Sequence, residues 1–266
     1  MRLGFDLDGT VADLHSALAL EARRLYPGID PAAIPNSAAP GAAPAGDDVS
    51  PDASSQDGAQ QEEQQLSFGS LSARQQREIW KAVCDRENFW ETLDEIEPGA
   101  LARLYSLVQT NKWELIFLTS RPETRGDTAQ AQSHRWLSKH GFLQPSVFVV
   151  HGSRGKIAAS LALDVIVDDR PENCLDVAID SSARAILVWR GDANNVPGSA
   201  RQLGIGSVGS MSECLDILES LDRPDTHQLG MVERLKRLLG LRPQAARLKQ
   251  TGRTTTPTTT ATRSAG

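Results

Sequence analysis

The stretch RLGFDLDGT, residues 2–10, is an apolar strand that stops abruptly at Asp6-Leu7-Asp8-Gly9-Thr10. Asp6 and Asp8 stand two apart at the strand's end, so both side chains can project to one side. Gly9 then allows a sharp turn whose backbone amides can approach a phosphate. Two carboxylates so close repel each other unless a cation or a shared proton intervenes. A hard divalent ion with oxygen ligands answers that need, and magnesium suits phosphate chemistry.

The same pattern recurs downstream. The run Leu115-Ile116-Phe117-Leu118 ends in Thr119-Ser120-Arg121-Pro122, and Val165-Ile166-Val167 ends in Asp168-Asp169. Two further apolar runs, 147–150 and 185–189, carry no such cluster. Helical patterns over 13–26, 72–85, 99–110, 127–140, 154–162, 173–180 and 211–221 lie between or beside these strands. Short, continuous apolar strands alternating with helices predict an α/β fold, a Rossmann-like doubly wound parallel sheet covered on both faces. In such sheets ligands bind beyond the carboxyl ends of the strands, which is where each polar cluster falls.

The clusters suit one reaction. Asp6 can serve as nucleophile and Asp8 as the acid that protonates the leaving group and later deprotonates water. Thr119 and the amide of Ser120 can hold phosphate oxygens, and Lys156 can neutralise charge on the transferring group. Asp168 and Asp169 supply carboxylates to complete a metal shell. Each element alone is commonplace: such a pair of acids is often a loop cap, and a helix lysine usually faces solvent. Their order along alternating strands is what carries the reading. A receiver domain shares the sheet and the residue types. There, however, the paired acids follow the first strand and the phosphorylated Asp the third, the reverse of the order here.

DLDGT, LTS, Lys156 and VDD together resemble the four motifs of the haloacid dehalogenase-like phosphohydrolases, over residues 2 to about 190. The resemblance implies hydrolysis of a phosphate monoester through an aspartyl-phosphate on Asp6, with Mg2+. By position it makes Asp6 the nucleophile, Asp8 the acid/base with its backbone carbonyl facing the metal, Thr119 a phosphate ligand and Lys156 the third-motif lysine. Asp6, Asp8, Asp168 and Asp169 form the implied metal group. Within that superfamily, DGTVADL, ENFWETLDEIEPGALARL, TSRP and IVDDRPENC are most similar to the 5'(3')-deoxyribonucleotidases. That likeness implies a small helical cap inserted after the first strand, with Phe89 and Trp90 set against a nucleobase and Arg121 and Arg170 at the mouth. The expected substrate is a nucleotide, with a sugar phosphate or other small phosphomonoester as the alternative. A binding protein of the same fold is disfavoured by the intact Asp6, Asp8 and Lys156.

The expected organisation is a catalytic core of 1–13 and 97–222, a cap of 14–96, and an appendage of 223–266. Within the cap, about 31–65 is rich in Ala, Pro, Ser, Gln and Asp, and no Lys or Arg occurs from Leu25 to Ala73. That composition predicts disorder. In the appendage, Met231, Val232, Leu235, Leu238 and Leu239 form an amphipathic stripe followed by a basic, Thr-rich tail. A net charge of −6 argues against a nucleic-acid polymer as partner. The acids at the start do not suit a signal peptide, no apolar run is long enough to span a membrane, and the three cysteines are too dispersed for a zinc site or a disulfide framework. A cytoplasmic location is expected, and no oligomeric state follows from the sequence.

Overall fold

The computed structural model describes residues 1–28 and 71–222. The compositional insert of 31–65 and the appendage of 223–266 lie outside the described residues. Six strands, β1 (Arg2–Asp6), β2 (Glu114–Thr119), β3 (Ser146–Val149), β4 (Val165–Asp168), β5 (Arg184–Val188) and β6 (Gly206–Val208), form one parallel sheet in the order β3-β2-β1-β4-β5-β6. This is an α/β Rossmann-like arrangement. The chain winds outward from β1 to β3, then returns to the other side of β1 and winds outward from β4. The strand order therefore reverses between β1 and β4, and the crevice above that pair is where an open parallel sheet binds its ligand. Asp6 ends β1 and Asp168 ends β4.

Strand alternation divides the apolar residues between two cores. Leu3, Phe5, Phe117, Val165, Val167, Ile186 and Val188 pack on one face with α3 (Ala100–Asn111), α4 (Ala129–Lys139) and α8 (Met211–Asp222). Leu118, Ile166 and Leu187 point to the other face, against α5 (Arg154–Ser160), α6 (Pro171–Asp180) and α7 (Gly198–Gln202). Strand β6 and helix α7 have no counterpart in the sequence reading. A three-residue strand, GSV, and a five-residue helix are too short to generate a period.

Between β1 and α3 lie α1 (Leu14–Leu25), α2 (Ala73–Cys84) and a 3-10 turn, Phe89–Glu91. Asp13 caps α1 by accepting from the Ser16 amide, and Ser72 with Gln75 forms a reciprocal capping box on α2. Tyr26 donates to Glu78, which also accepts from Arg74, so the two helices are tied together. The outgoing and returning chains run side by side: the Asp13 amide donates to the Asp94 carbonyl, and the Ile96 amide to the Val11 carbonyl. Among the described residues no helix is long and apolar enough to cross a membrane.

Candidate active site

Beyond Asp6 the chain turns at once. The amides of Val11 and Ala12 both donate to the Leu7 carbonyl, and the Gly9 amide returns to the Ala12 carbonyl. Gly9 has φ +85°, and a Cβ there would lie 2.1 Å from an Asp169 carboxylate oxygen. Glycine thus serves two needs at one position: a left-handed turn and close approach of the β1 loop to the β4 acids. Arg190, following β5, donates to the carbonyls of Gly9 and Thr10 and to Glu97, which in turn accepts from the Met211 amide at the start of α8.

Asp6, Asp168 and Asp169 converge, with one carboxylate oxygen from each lying within 4.8 Å of the others. Burial, reinforced by the Asp168 charge, pushes the Asp6 and Asp169 carboxyls well above the ordinary carboxylate range. Asp168 is raised too, again by burial, with Arg154 opposing the shift most strongly. Asp168 is fixed by its surroundings, accepting from the Arg170 amide at 2.9 Å and from the Asn173 side chain at 2.9 and 3.0 Å. Oδ1 of Asp169 is buried without a hydrogen-bond partner.

The Asp8 carboxylate is not in that cluster. It turns the other way, accepting from Thr119 Oγ1 at 3.0 Å and from Arg121 at 2.7–3.1 Å. Of the four carboxylates implied as metal ligands, three come together. Asp8 is left only the backbone role that the resemblance implied.

The cation beside Asp6 is not Lys156, which is exposed. Arg154, only 3% exposed, donates from Nη2 to Asp6 Oδ1 at 2.9 Å and to Ser120 Oγ at 3.3 Å, with Nε 3.6 Å from Asp168. Its Nε and Nη1 have no hydrogen-bond partner among the described residues. The reason is helical phase. Ser153 caps α5, and residues two apart on a helix point in nearly opposite directions, about 200° apart. Gly155 sets which of the two faces the site, since a Cβ there would lie 2.0 Å from the Asp176 carbonyl of α6. That contact presses the Gly155 side of α5 onto α6 and leaves Arg154, not Lys156, beneath the strand ends. Nothing in the sequence near Arg154 marks it over Lys156, which fits the motif by position alone.

The remaining expected substrate contacts divide. Ser120 and Trp90 line the cleft, whereas Phe89 is wholly buried, with its ring edge against Trp90. Phe89 is a packing residue. Arg121 lines the cleft but is only 2% exposed, its nitrogens directed to Asp8 and to Ser133 Oγ rather than held out at a mouth. Trp80, Leu14 and Asn173, none of them anticipated, complete the lining with Pro122 and Arg170. Trp80 belongs to α2, so that helix contributes directly to the cleft.

No protein-family model matches the sequence, and no curated protein matches it. Solved structures do show likeness. A HAD family hydrolase from Deinococcus radiodurans R1, with bound phosphate and sodium, is 15% identical with a TM-score of 0.49, over 83% of this chain and 95% of that one. A phosphonoacetaldehyde hydrolase-like protein from Oleispira antarctica is 12% identical with a TM-score of 0.42, over 89% and 94%. A hydrolase from Pseudomonas syringae is 14% identical with a TM-score of 0.44, over 84% and 98%. At these values the likenesses carry no argument about chemistry, which rests on the site itself.

Proposed function

We propose that this chain is a haloacid dehalogenase-like phosphohydrolase that cleaves a phosphate monoester through an aspartyl-phosphate on Asp6. The observation that carries the reading is the meeting of Asp6, Asp168 and Asp169 at the reversal point of the sheet, with Arg154 buried against Asp6. Structural packing alone gives no reason to bury three carboxylates together, since each costs several kcal/mol to desolvate.

The donor set fits a small, hard divalent cation. All three ligands are carboxylates, one oxygen is orphaned, and burial makes their charge costly without a counter-ion. Asp6, Asp168 and Asp169 would hold Mg2+, which supplies charge neutralisation for phosphate oxygens brought against carboxylates. The chain's own residues do the rest. A carboxylate oxygen of Asp6 attacks phosphorus, and the bond to the ester oxygen breaks. Asp8 would act in its protonated form, freed from its pairing with Arg121, giving its proton to the departing alkoxide and regaining one from the water that cleaves the acyl phosphate, which releases inorganic phosphate and restores Asp6. Arg154, whose Nη1 has no partner among the described residues, and Ser120 both line the cleft where phosphate oxygens would lie.

The described residues of the inserted segment, 14–28 and 71–96, act as the cap on a core of 1–13 and 97–222, with Trp80 and Trp90 forming its wall over the cleft. Two indoles beside a phosphate site favour a nucleotide as substrate, with a sugar phosphate as the second reading. Phosphate release with Mg2+ across nucleotides, deoxynucleotides and sugar phosphates tests both levels. Retention of activity in Asp6→Asn would refute the mechanism. Equal turnover of nucleotides and sugar phosphates would refute only the substrate class.

A further inference from the structure

We propose that Arg190 is a positioning residue for the cation site, which fixes the Gly9–Thr10 turn against Asp169 and so holds the acids of β1 and β4 together. This rests on the cation site of the phosphohydrolase reading above, not on its substrate. Arg190 follows the end of β5 by two residues. In the sheet β5 neighbours β4, and β4 neighbours β1. To reach the β1 loop the arginine must span the end of β4, where Asp168 and Asp169 stand, a distance of two strand spacings or roughly 10 Å. It donates from Nη1 to the Gly9 carbonyl at 2.5 Å and from Nη2 to the Thr10 carbonyl at 2.9 Å.

The guanidinium is itself anchored. Nη2 also donates to Glu97 Oε1 at 2.9 Å, and Glu97 accepts from the Met211 amide at 2.7 Å and the Ser212 amide at 3.1 Å. Those amides open α8, whose Cys214, Leu215 and Leu218 are wholly buried. Arg190 therefore ties the turn to a helix fixed in the core.

The bonds from the Val11, Ala12 and Gly9 amides are internal to the turn and shape it. The bonds from Arg190 come from outside and set where the turn lies. That placement matters because a Cβ on Gly9 would lie 2.1 Å from Asp169 Oδ2, so the turn bounds one side of this carboxylate. Its other oxygen, Oδ1, has no partner among the described residues. Releasing the Gly9 carbonyl would let the turn lift from Asp169 and carry the Asp8 backbone with it. A planar guanidinium can hold three acceptors in fixed directions, which a lysine ammonium does less well. Outer groups that orient metal ligands commonly account for about 10–100-fold in metal affinity.

The sign of the effect on Mg2+ binding separates this role from its alternatives. A positive charge near a cation site repels the cation, so losing the charge alone would tighten binding. A purely structural role would lower Tm and leave the affinity of the folded protein unchanged. Loss of positioning weakens binding. Mg2+ titrations followed by tryptophan fluorescence, at a temperature where circular dichroism shows each protein folded, measure this. The dissociation constant should rise about 10-fold or more in Arg190→Met. Arg190→Lys keeps the charge without the fork and should lie between Arg190→Met and the wild type. If Arg190→Met fails to fold, Arg190→Lys answers the question by itself. An unchanged or lower dissociation constant in the folded variant overturns the proposal. A wild type that binds no Mg2+ refutes the cation site and this proposal with it. Mg2+ binding without phosphate release from any ester refutes the phosphohydrolase reading alone, and the ratio of dissociation constants still decides the role of Arg190.

Discussion

Exchanging the two cations of α5 separates what the structure says from what the motif says. Arg154→Met removes the guanidinium from beside Asp6 and keeps much of its apolar volume; Lys156→Met removes an exposed ammonium. At an effective dielectric near 20, unit charges about 4 Å apart interact by roughly 4 kcal/mol. Removing one partner of a buried pair typically costs about 3–5 kcal/mol. Here Arg154 faces both Asp6 and Asp168, so a loss of that size is expected in the metal-free protein where these carboxyls are ionised. For a domain of this size each kcal/mol shifts Tm by about 2–4 °C, which predicts a fall of roughly 6–20 °C. Lys156→Met should change stability by no more than about 0.5 kcal/mol.

Activity should follow the same division. The unused Nη1 of Arg154 is available for a phosphate oxygen, and losing one such fixed donor costs about 10²–10³-fold in kcat. Lys156→Met should stay within about threefold of the wild type. Parallel phosphate-release assays and thermal melts on the two variants decide the matter. A tenfold or greater loss in Lys156→Met, with Arg154→Met active and stable, would falsify the assignment of Arg154 and the helical-phase reasoning behind it.

Gly9→Ala should lower kcat by about 10²-fold or more and weaken Mg2+ binding, because the new Cβ meets the Asp169 carboxylate at 2.1 Å; metal titration monitored by tryptophan fluorescence checks it. Asn173→Ala should weaken Mg2+ binding by about 10–100-fold with little change in fold, since Asn173 only orients Asp168. Melts over a pH series test the acid cluster. Carboxyls raised by folding favour the folded state below their unfolded range and lose that contribution as pH rises through their folded values, so the metal-free Tm should fall with rising pH. Mg2+ should raise Tm, and by more at higher pH, where the carboxylates bind it without releasing protons. A magnesium effect independent of pH would count against the cluster as its site.

The sheet is legible because burial on both faces leaves continuous apolar runs, and each run breaks where the chain leaves the strand. Asp6 and Asp168 were found for that reason: a carboxylate directly after Phe5 or Val167 has no packing role that an apolar residue would not fill better. The helix positions were not legible in the same way. Lys156 and Arg154 differ by two places on a short helix. Which of them faces the site depends on the contact of Gly155 with the Asp176 carbonyl, about twenty residues away in sequence. Trp80 escaped for a similar reason. Its face of α2 is decided by how α2 lies on α1, through Tyr26 and Glu78, and nothing near Trp80 in the chain records it. Phe89 and Trp90 are neighbours in a tight turn, and only the fold tells which ring lines the cleft.

Charge balance links the two halves of the site. Asp8 is matched by Arg121 and Asp6 by Arg154, each arginine almost wholly buried. Among the described residues Asp169 forms no ion pair and Asp168 shares Arg154 with Asp6, its Oδ2 lying 3.6 Å from Nε, while Asn173 and a backbone amide orient Asp168 without neutralising it. At this end of the site three acids meet one buried guanidinium, so ionising all of them leaves an excess of negative charge that a divalent ion would offset. The deficit is concentrated on β4, facing Asp6 across the reversal point, rather than spread around the cleft. Placing a third arginine there would have balanced the charges and closed the site. The Asp169 oxygen that has no partner among the described residues is thus a proposed ligand for the cation, with phosphate approaching the same place.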